Sequence, residues 1–232
     1  HDALPILPGA FEGALKGIAA LRGVGLPFQI NTTVTRANLG CFKDIARLCV
    51  ELGAAAWHIF LLVPTGRGAD MADESIAAEE YESLLNWFYD FRSQTPMRLK
   101  ATCAPQYYRI LRQRAKAEGL KVTPENFGLD AVTRGCLAGM GFCFVSHVGE
   151  VQPCGYLELS CGNVRQAAFG DIWRESEVFR ALRDPSAYAG KCGHCAYHRF
   201  CGGCRARALT LRGHYLAEEP FCAYNPPKGG QP

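Results

Sequence analysis

The chain has 232 residues, of which 48% are hydrophobic and 20% are charged, and this composition is typical of a folded globular protein. Its 25 Lys and Arg residues exceed its 22 Asp and Glu residues by too little to predict binding to nucleic acid or to an anionic membrane surface. No apolar run reaches the roughly 18 residues that a transmembrane helix needs, so we also expect no membrane-spanning segment.

The spacing of apolar residues in the first 118 residues predicts helices and strands that alternate along the chain. We predict helices over residues 9–21, 38–52, 78–91 and 105–118, and strands over residues 27–35, 57–63 and 97–102. The strand at 57–63 is almost continuously apolar, which is typical of a strand buried on both faces of a parallel sheet. The β-α-β-α-β order predicts parallel pairing with right-handed crossovers. Three strands are too few for a closed eight-stranded barrel, so we expect an α/β fold with part of a barrel or an open sheet.

From residue 119 onward the pattern changes to short strands, glycine-rich turns and cysteines. After a turn-rich linker, residues 142–147 and 150–152 predict a β-hairpin that turns through Val148 and Gly149. Residues 168–173, 177–183 and 204–212 predict short helices. Nine of the 12 cysteines lie between Cys136 and Cys222, so this half is a small cysteine-rich unit.

Eight of these cysteines have the spacing of metal ligands. The run C-x2-C-x5-C-x2-C brings pairs of thiols together across two-residue loops, and glycines relieve the tight turns. The eight candidates are Cys136, Cys143, Cys154, Cys192, Cys195, Cys201, Cys204 and Cys222. They are enough for two sites with four thiolates each. Zinc and iron–sulfur clusters both bind four thiolates, so the spacing alone leaves the two open.

The other cysteines do not follow this spacing. We predict that Cys41, Cys49 and Cys103 are packing residues, because a free cysteine usually behaves as a small hydrophobic side chain. Cys41 and Cys49 are eight residues apart and would share one face of a helix. Cys161 is left over as a spare thiol.

The cysteine pattern resembles the SPASM extension of radical S-adenosylmethionine enzymes. The matching motif is Cys136-x12-Gly149-x4-Cys154, followed by the C-x2-C-x5-C-x2-C run and Cys222. The common form has three residues between the last pair of the run, whereas this chain has two. The stretches FLLVPTGRG, KATCAPQYYRI, GCLAGMGFCFVSHVGEVQPCGYLE, CGNVR, CGGCRARAL and LAEEPFC resemble the heme-biosynthesis branch of this family.

The resemblance implies a fold and a division into domains. Residues 1–118 would be the C-terminal portion of a partial (β/α) radical S-adenosylmethionine barrel, and residues 119–135 a linker. Residues 136–224 would be the SPASM domain, and residues 225–232 a tail. The family's C-x3-C-x2-C triplet is absent, and the chain begins with His1 rather than Met. We therefore expect a C-terminal fragment that is inactive by itself, and the implied activity is that of its parent enzyme.

The resemblance also implies how the ligands divide. Two auxiliary [4Fe-4S] clusters are expected, although one remains possible. The first would be held by Cys136, Cys143, Cys154 and Cys204, and the second by Cys192, Cys195, Cys201 and Cys222. The S-adenosylmethionine side of the barrel would be lined by Asn31, Thr33, Leu62 and Val63.

The implied reaction is the oxidative decarboxylation of two propionates of iron-coproporphyrin III to vinyl groups, which forms heme b. An auxiliary cluster would accept the electron that leaves with each carbon dioxide, and ferredoxin or flavodoxin would be the electron donor.

The carboxylates of this tetrapyrrole need Arg partners, and Arg67, Arg205 and Arg207 are the candidates. Tyr107, Tyr108 and Phe144 are either walls of the substrate site or core residues. Oxygen-sensitive thiolates and the absence of targeting signals predict the cytoplasm.

Three alternatives stay open at this stage. The chain could belong to another radical S-adenosylmethionine/SPASM enzyme, either a didecarboxysiroheme deacetylase or a peptide maturase. It could be a structural module held together by zinc, or an electron-transfer module without chemistry of its own. Bound metal and the effect of S-adenosylmethionine would separate these classes.

Overall fold

The computed structural model describes residues 8–227, so His1 and residues 228–232 of the predicted tail lie outside it. The helices are α1 Ala10–Gly23, α2 Phe42–Glu51, α3 Ala78–Phe91, α4 Gln106–Ala117, α5 Pro124–Phe127, α6 Leu129–Val132, α7 Phe169–Glu175, α8 Glu177–Arg183, α9 Gly190–Gly193 and α10 Arg205–Arg212. The strands are β1 Gln29–Val34, β2 Ala56–Leu61, β3 Arg98–Thr102, β4 Phe144–Val145, β5 Glu150–Gln152 and β6 Gly162–Asn163.

The first half is a three-stranded parallel sheet in the order β1-β2-β3, as the sequence predicts. One face of the sheet packs against a helical layer, because alternate residues of β2 are apolar. Trp57, Ile59 and Leu61 on this face are at most 1% exposed. The indole nitrogen of Trp57 donates to the hydroxyl of Thr32 at 3.0 Å, so the buried polar atom is paired.

The opposite face of the sheet is more open than the sequence predicts. The register places Asn31 beside His58 and Thr33 beside Phe60 on this face. His58 and Phe60 are half-buried, and Asn31 and Thr33 are exposed. The prediction that the apolar stretch at 57–63 is buried on both faces is therefore wrong for β2. The described helices α2 to α4 pack on the other side of the sheet and leave this face uncovered.

The second half contains a small antiparallel sheet in the order β4-β5-β6. This confirms the predicted hairpin, which turns at Gly149 with φ 87°. A Cβ atom at Gly149 would lie 2.7 Å from the side-chain oxygen of Asn163, so only glycine fits. Val151, Ile172 and Phe179 form a small hydrophobic core beneath this sheet.

The two halves pack where the parallel strands end. The guanidinium of Arg207 in α10 donates to the carbonyl of Leu62 at 3.4 Å and to that of Cys103 at 2.7 Å. The ring of Phe221 stacks on Tyr81 in α3, with centroids 5.2 Å apart. The carboxyl edge of the sheet thus faces the cysteine-rich half. No helix among residues 8–227 combines the length and the apolarity needed to cross a membrane.

Candidate metal centres

Four thiols line one pocket near the C-terminal end of the described chain, which we call the terminal pocket. They are Cys192, Cys195, Cys201 and Cys222, the complete second set that the resemblance implies. The pocket has about 380 Å³ of space, including its opening to solvent. Cys222 is brought to the other three by the chain that follows α10.

The turn at Gly202 and Gly203 shapes the terminal pocket. Both glycines have positive φ angles, 76° and 60°. A Cβ atom at Gly203 would lie 3.3 Å from the sulfur of Cys192 and 3.0 Å from the Cβ of Glu219. Glycine therefore meets two requirements at this position, because it adopts the left-handed backbone and leaves room beside the thiol.

Positive charge and hydrogen-bond donors surround the terminal pocket. The sulfur of Cys192 accepts from the backbone N–H of Glu219 at 3.3 Å and from the guanidinium of Arg205 at 3.7 Å. Arg109 also lines the pocket and is only 2% exposed. Burial opposes its charge, but Glu82 and the nearby thiols outweigh burial and raise the pKa of Arg109. These groups favour thiolates in a pocket where burial, with smaller contributions from Cys222 and Cys192, raises the pKa of Cys201.

A second group of thiols lies between the end of β3 and the cysteine-rich half, in what we call the interface pocket. It contains Cys136, Cys154 and Cys204, together with Cys103. The pocket has about 890 Å³ of space, including its opening to solvent. The sulfur of Cys154 accepts from the backbone N–H of Tyr156 at 3.4 Å. Burial, with further contributions from Cys136 and Cys204, raises the pKa of Cys154 to about 12.

Cys143 does not lie with the first set to which the resemblance assigns it. It packs with Cys161 against the small core of Val151, Ile172 and Phe179. Cys143 directly precedes β4, and the pairing of β4 with β5 turns this segment toward the small core. The structure thus brings together three of the four cysteines in the first predicted set.

The three cysteines that the sequence assigns to packing have different surroundings. Cys49 is buried in the core, as predicted, with 1% exposure. Cys41 is exposed, and the prediction that it shares a helical face with Cys49 is wrong. Residues 39–41 form a 3-10 turn ahead of α2, so a spacing of eight residues no longer places both on one face. Cys103 lies in the interface pocket instead of the main core.

Arg205 and Arg207 are not placed to meet a substrate carboxylate, in contrast to the prediction. Both residues are at most 1% exposed. Arg207 forms an ion pair with Glu219 at 2.9 Å, in addition to its contacts with the strand ends. Arg205 lies along the wall of the interface pocket, but its guanidinium donates to backbone carbonyls at 3.1 Å or less. Their donors are therefore used to hold the protein together.

A third cavity opens at the carboxyl ends of the parallel strands, and we call it the strand-end cavity. Three of the four residues predicted for S-adenosylmethionine line it, namely Thr33, Leu62 and Val63. Asn31 does not line it and accepts a hydrogen bond from the side chain of Gln29 at 2.9 Å. Arg67 also lines this cavity and is exposed. No ion pair joins Arg67 to a carboxylate within the part of the chain that the structure describes.

The aromatic candidates are divided between core and surface. Tyr107 is 1% exposed and packs edge-on against Phe88, so it belongs to the core. Tyr108 is 2% exposed, and its hydroxyl donates to Asp130 at 3.2 Å at one side of the interface pocket. Phe144 is 41% exposed on β4.

Residues 136–205 match the SPASM family, which is described as an iron-sulfur cluster-binding domain. This match confirms the resemblance of the cysteine-rich half and favours iron–sulfur clusters over zinc.

The whole chain is similar to enzymes of heme biosynthesis. It is 66% identical to the AdoMet-dependent heme synthase of Oleidesulfovibrio alaskensis over 98% of this chain and 59% of that protein. It is 53% identical to the AdoMet-dependent heme synthase of Methanosarcina barkeri over 98% of this chain and 65% of that protein. These similarities confirm the resemblance to the heme-biosynthesis branch. The chain spans 59% and 65% of the lengths of these two relatives.

The fold is similar to that of Streptococcus suis SuiB in its crystal structure bound to S-adenosylmethionine. The TM-score is 0.60 and the sequence identity is 15%, over 91% of this chain and 48% of SuiB. At this identity the likeness concerns the fold alone.

The thiols present fit iron–sulfur clusters by their chemistry, because such clusters are held by Cys thiolates. Among residues 8–227, no three His, Cys, Asp or Glu side chains are close enough together to hold a single metal ion. A cluster binds each thiolate to a separate iron atom, so it does not require the sulfurs to converge on one point. The sequence missed Cys103, Arg109 and Glu219 as members of these sites, because none of them follows the ligand spacing.

Proposed function

We propose that this chain is part of a radical S-adenosylmethionine enzyme that converts iron-coproporphyrin III into heme b. The proposal rests on 66% identity to an AdoMet-dependent heme synthase over almost the whole chain. The SPASM domain and the two thiol pockets support it, because the reaction needs redox groups near the substrate. The substrate belongs to the tetrapyrroles.

The sheet half would be the C-terminal portion of a partial (β/α) barrel. One face of the sheet carries helices, and the other, on which Asn31 and Thr33 are exposed, would face the inside of the barrel, since interior and exterior residues alternate along a barrel strand. Residues 1–118 would form this portion, residues 119–135 the linker, residues 136–224 the SPASM unit and residues 225–232 the tail. The strand-end cavity then corresponds to the face where barrel enzymes bind their substrates.

The terminal pocket would hold one auxiliary cluster through Cys192, Cys195, Cys201 and Cys222. The interface pocket would hold another through a set that includes Cys136, Cys154 and Cys204. A [4Fe-4S] cluster, when bound, supplies one-electron redox chemistry. The protein contributes the thiolates, and Arg109 and Arg205 supply positive charge that offsets theirs.

The strand-end cavity would receive S-adenosylmethionine and the tetrapyrrole. Thr33, Leu62 and Val63 would lie on the S-adenosylmethionine side, with Asn31 on the same face of β1. Arg67 would bind a substrate carboxylate, since it lines the cavity and a guanidinium offers two parallel donors. Ferredoxin or flavodoxin would supply electrons in the cytoplasm, where reduced thiols persist.

The test uses the full-length protein that contains this chain, reconstituted without oxygen. It is incubated with S-adenosylmethionine, a reductant and iron-coproporphyrin III, and the products are separated and weighed by mass spectrometry. We expect heme b, formed with the loss of two carbon dioxide molecules for each tetrapyrrole. Turnover of didecarboxysiroheme or of a peptide, with none of iron-coproporphyrin III, would assign the enzyme to another substrate. Bound zinc without iron would contradict the proposal as a whole.

A further inference from the structure

We propose that Cys103 is a ligand of the iron–sulfur cluster in the interface pocket, where it completes a four-thiol set with Cys136, Cys154 and Cys204. The inference rests on the proposed function in one respect, namely that this pocket holds a cluster. It differs from the assignment by sequence resemblance, in which Cys143 is the fourth ligand. The new ligand comes from the turn that directly follows β3, whereas the other three come from the cysteine-rich half.

The first observation is that the four thiols share one pocket. Cys103, Cys136 and Cys154 pack on the small apolar cluster that contains Cys204. All four line the interface pocket, and Cys143 does not. The fourth thiol of this pocket is therefore already present, on the side opposite the SPASM motif.

The second observation is the backbone at Cys103. Among residues 8–227 it is the one non-glycine residue with a positive φ angle, 53°. Its carbonyl accepts from Arg207 at 2.7 Å, so the buried guanidinium holds this turn in place. Cysteine is unfavourable in the left-handed region, and glycine would serve a simple turn better. A thiol needed at this position gives a reason for cysteine here.

The third observation concerns the position of Cys103 between two cavities. It lines both the interface pocket and the strand-end cavity. A ligand at this point would place the cluster next to the cavity proposed for the substrate. Cys143, in contrast, packs with Cys161 on the small core of Val151, Ile172 and Phe179, and it lines neither cavity.

The test compares single variants of the full-length protein after anaerobic reconstitution, without substrate. Cys103→Gly removes the thiol and suits the positive φ angle, so the variant is expected to fold. Cys154→Ala removes a thiol that is a ligand in both assignments. Cys143→Ala removes the thiol that only the sequence resemblance assigns as a ligand. Iron and sulfide are measured per protein, with the electron paramagnetic resonance spectrum of the reduced protein. We expect Cys103→Gly and Cys154→Ala each to lose about four iron atoms, and Cys143→Ala to keep them.

A further variant separates ligation from packing. Cys103→Asp offers a different ligand atom, so it should change the resonance spectrum and the reduction potential of one cluster while retaining iron. Wild-type iron content and spectrum in both Cys103 variants would overturn the proposal, and loss of iron in Cys143→Ala would then restore the other assignment. Unchanged iron in Cys154→Ala would mean that the pocket holds no cluster. Because no substrate is present, failure of heme formation alone leaves these results unaffected.

Discussion

At the scale of single residues, the ion pair of Arg207 and Glu219 connects the two halves. The two side chains are 0% and 1% exposed. Glu219 also accepts from the backbone N–H of Cys204, and Arg207 donates to the carbonyls at the ends of β2 and β3. Burying either charge is costly unless its partner is present, so each side chain depends on the other.

We expect Glu219→Gln to lower the free energy of unfolding by about 3–5 kcal/mol, because it leaves the Arg207 charge buried without its partner. Urea denaturation followed by circular dichroism measures this change. The control is Asp44→Asn, since Asp44 pairs with Arg47 at the surface and the two side chains are 64% and 72% exposed. That variant should change stability by less than about 1 kcal/mol. Equal effects of the two variants would contradict the argument.

A second residue-scale prediction concerns Asp130. Burial raises the pKa of its carboxyl group above the ordinary value, although Lys100 and Tyr108 oppose this shift. The folded protein therefore binds the proton more tightly than the unfolded chain does. The free energy of unfolding should fall as the pH rises from about 3.9 through the raised pKa.

Asp130→Asn removes this titrating group. As the pH rises through that interval, the free energy of unfolding of the wild type should therefore fall relative to that of the variant. Urea denaturation at about pH 3.5 and about pH 7 measures the difference. Asp171→Asn is the control, because Asp171 is 64% exposed in α7. If the difference in free energy of unfolding between Asp130→Asn and the wild type were the same at both pH values, burial would not be the dominant influence on the pKa of Asp130.

At the scale of elements, the turn between Cys201 and α10 determines how the two thiol pockets meet. Gly202 and Gly203 allow Cys201 to face the terminal pocket and Cys204 to face the interface pocket. The tight turn leaves no room for a side chain beside Cys192. Gly213 ends α10 with a similar φ angle, 77°, but a Cβ atom there would meet nothing within 4 Å.

The two glycines make a matched pair of variants. Gly213→Ala should cost only the left-handed backbone penalty, about 1 kcal/mol. Gly203→Ala should cost more, because its Cβ would also displace the guanidinium of Arg205, which donates to the sulfur of Cys192, and would crowd Glu219 and Cys192. We expect this variant to bind about four fewer iron atoms, whereas Gly213→Ala keeps the wild-type iron content. Iron analysis and urea denaturation test the pair, and equal iron loss would contradict a local steric effect.

At the scale of the whole molecule, the strand-end cavity is built by both halves. Thr33, Leu62 and Arg67 come from the sheet half, and Tyr156 and Glu158 come from the cysteine-rich half. The packing of the halves therefore controls what the cavity can bind. Arg67 is its one cationic side chain among the described lining residues.

We expect Arg67→Gln to weaken the binding of iron-coproporphyrin III about tenfold or more, since a charge-assisted hydrogen bond to a carboxylate is lost. Titration of the full-length protein, followed by the visible absorbance of the tetrapyrrole, gives the dissociation constant. Arg47→Gln is the control, because Arg47 lies on α2 and pairs with Asp44. Unchanged affinity in Arg67→Gln would remove Arg67 from the proposed substrate site.

The sequence alone predicted the features that depend on neighbours along the chain. The helix at Ala78–Phe91 has the predicted bounds, because its apolar residues follow the helical period without interruption. The parallel β-α-β order and the short hairpin were predictable for the same reason. The cysteine spacing also pointed to three of the four thiols in the terminal pocket, since Cys192, Cys195 and Cys201 are separated by short turns. The fourth, Cys222 in place of Cys204, was implied only by the family resemblance.

Only the tertiary structure decided the contacts between distant segments. It placed Cys103 with Cys136, Cys154 and Cys204, turned Cys143 toward the small core, and buried Arg205 and Arg207. It also left one face of β2 open, where the apolar run predicted burial on both. Local sequence patterns indicate which secondary structure and burial a residue favours. These outcomes depend instead on how the sheet packs against the cysteine-rich half. That packing is set by Arg207, Glu219 and the ends of the strands together, and no spacing in the sequence encodes it.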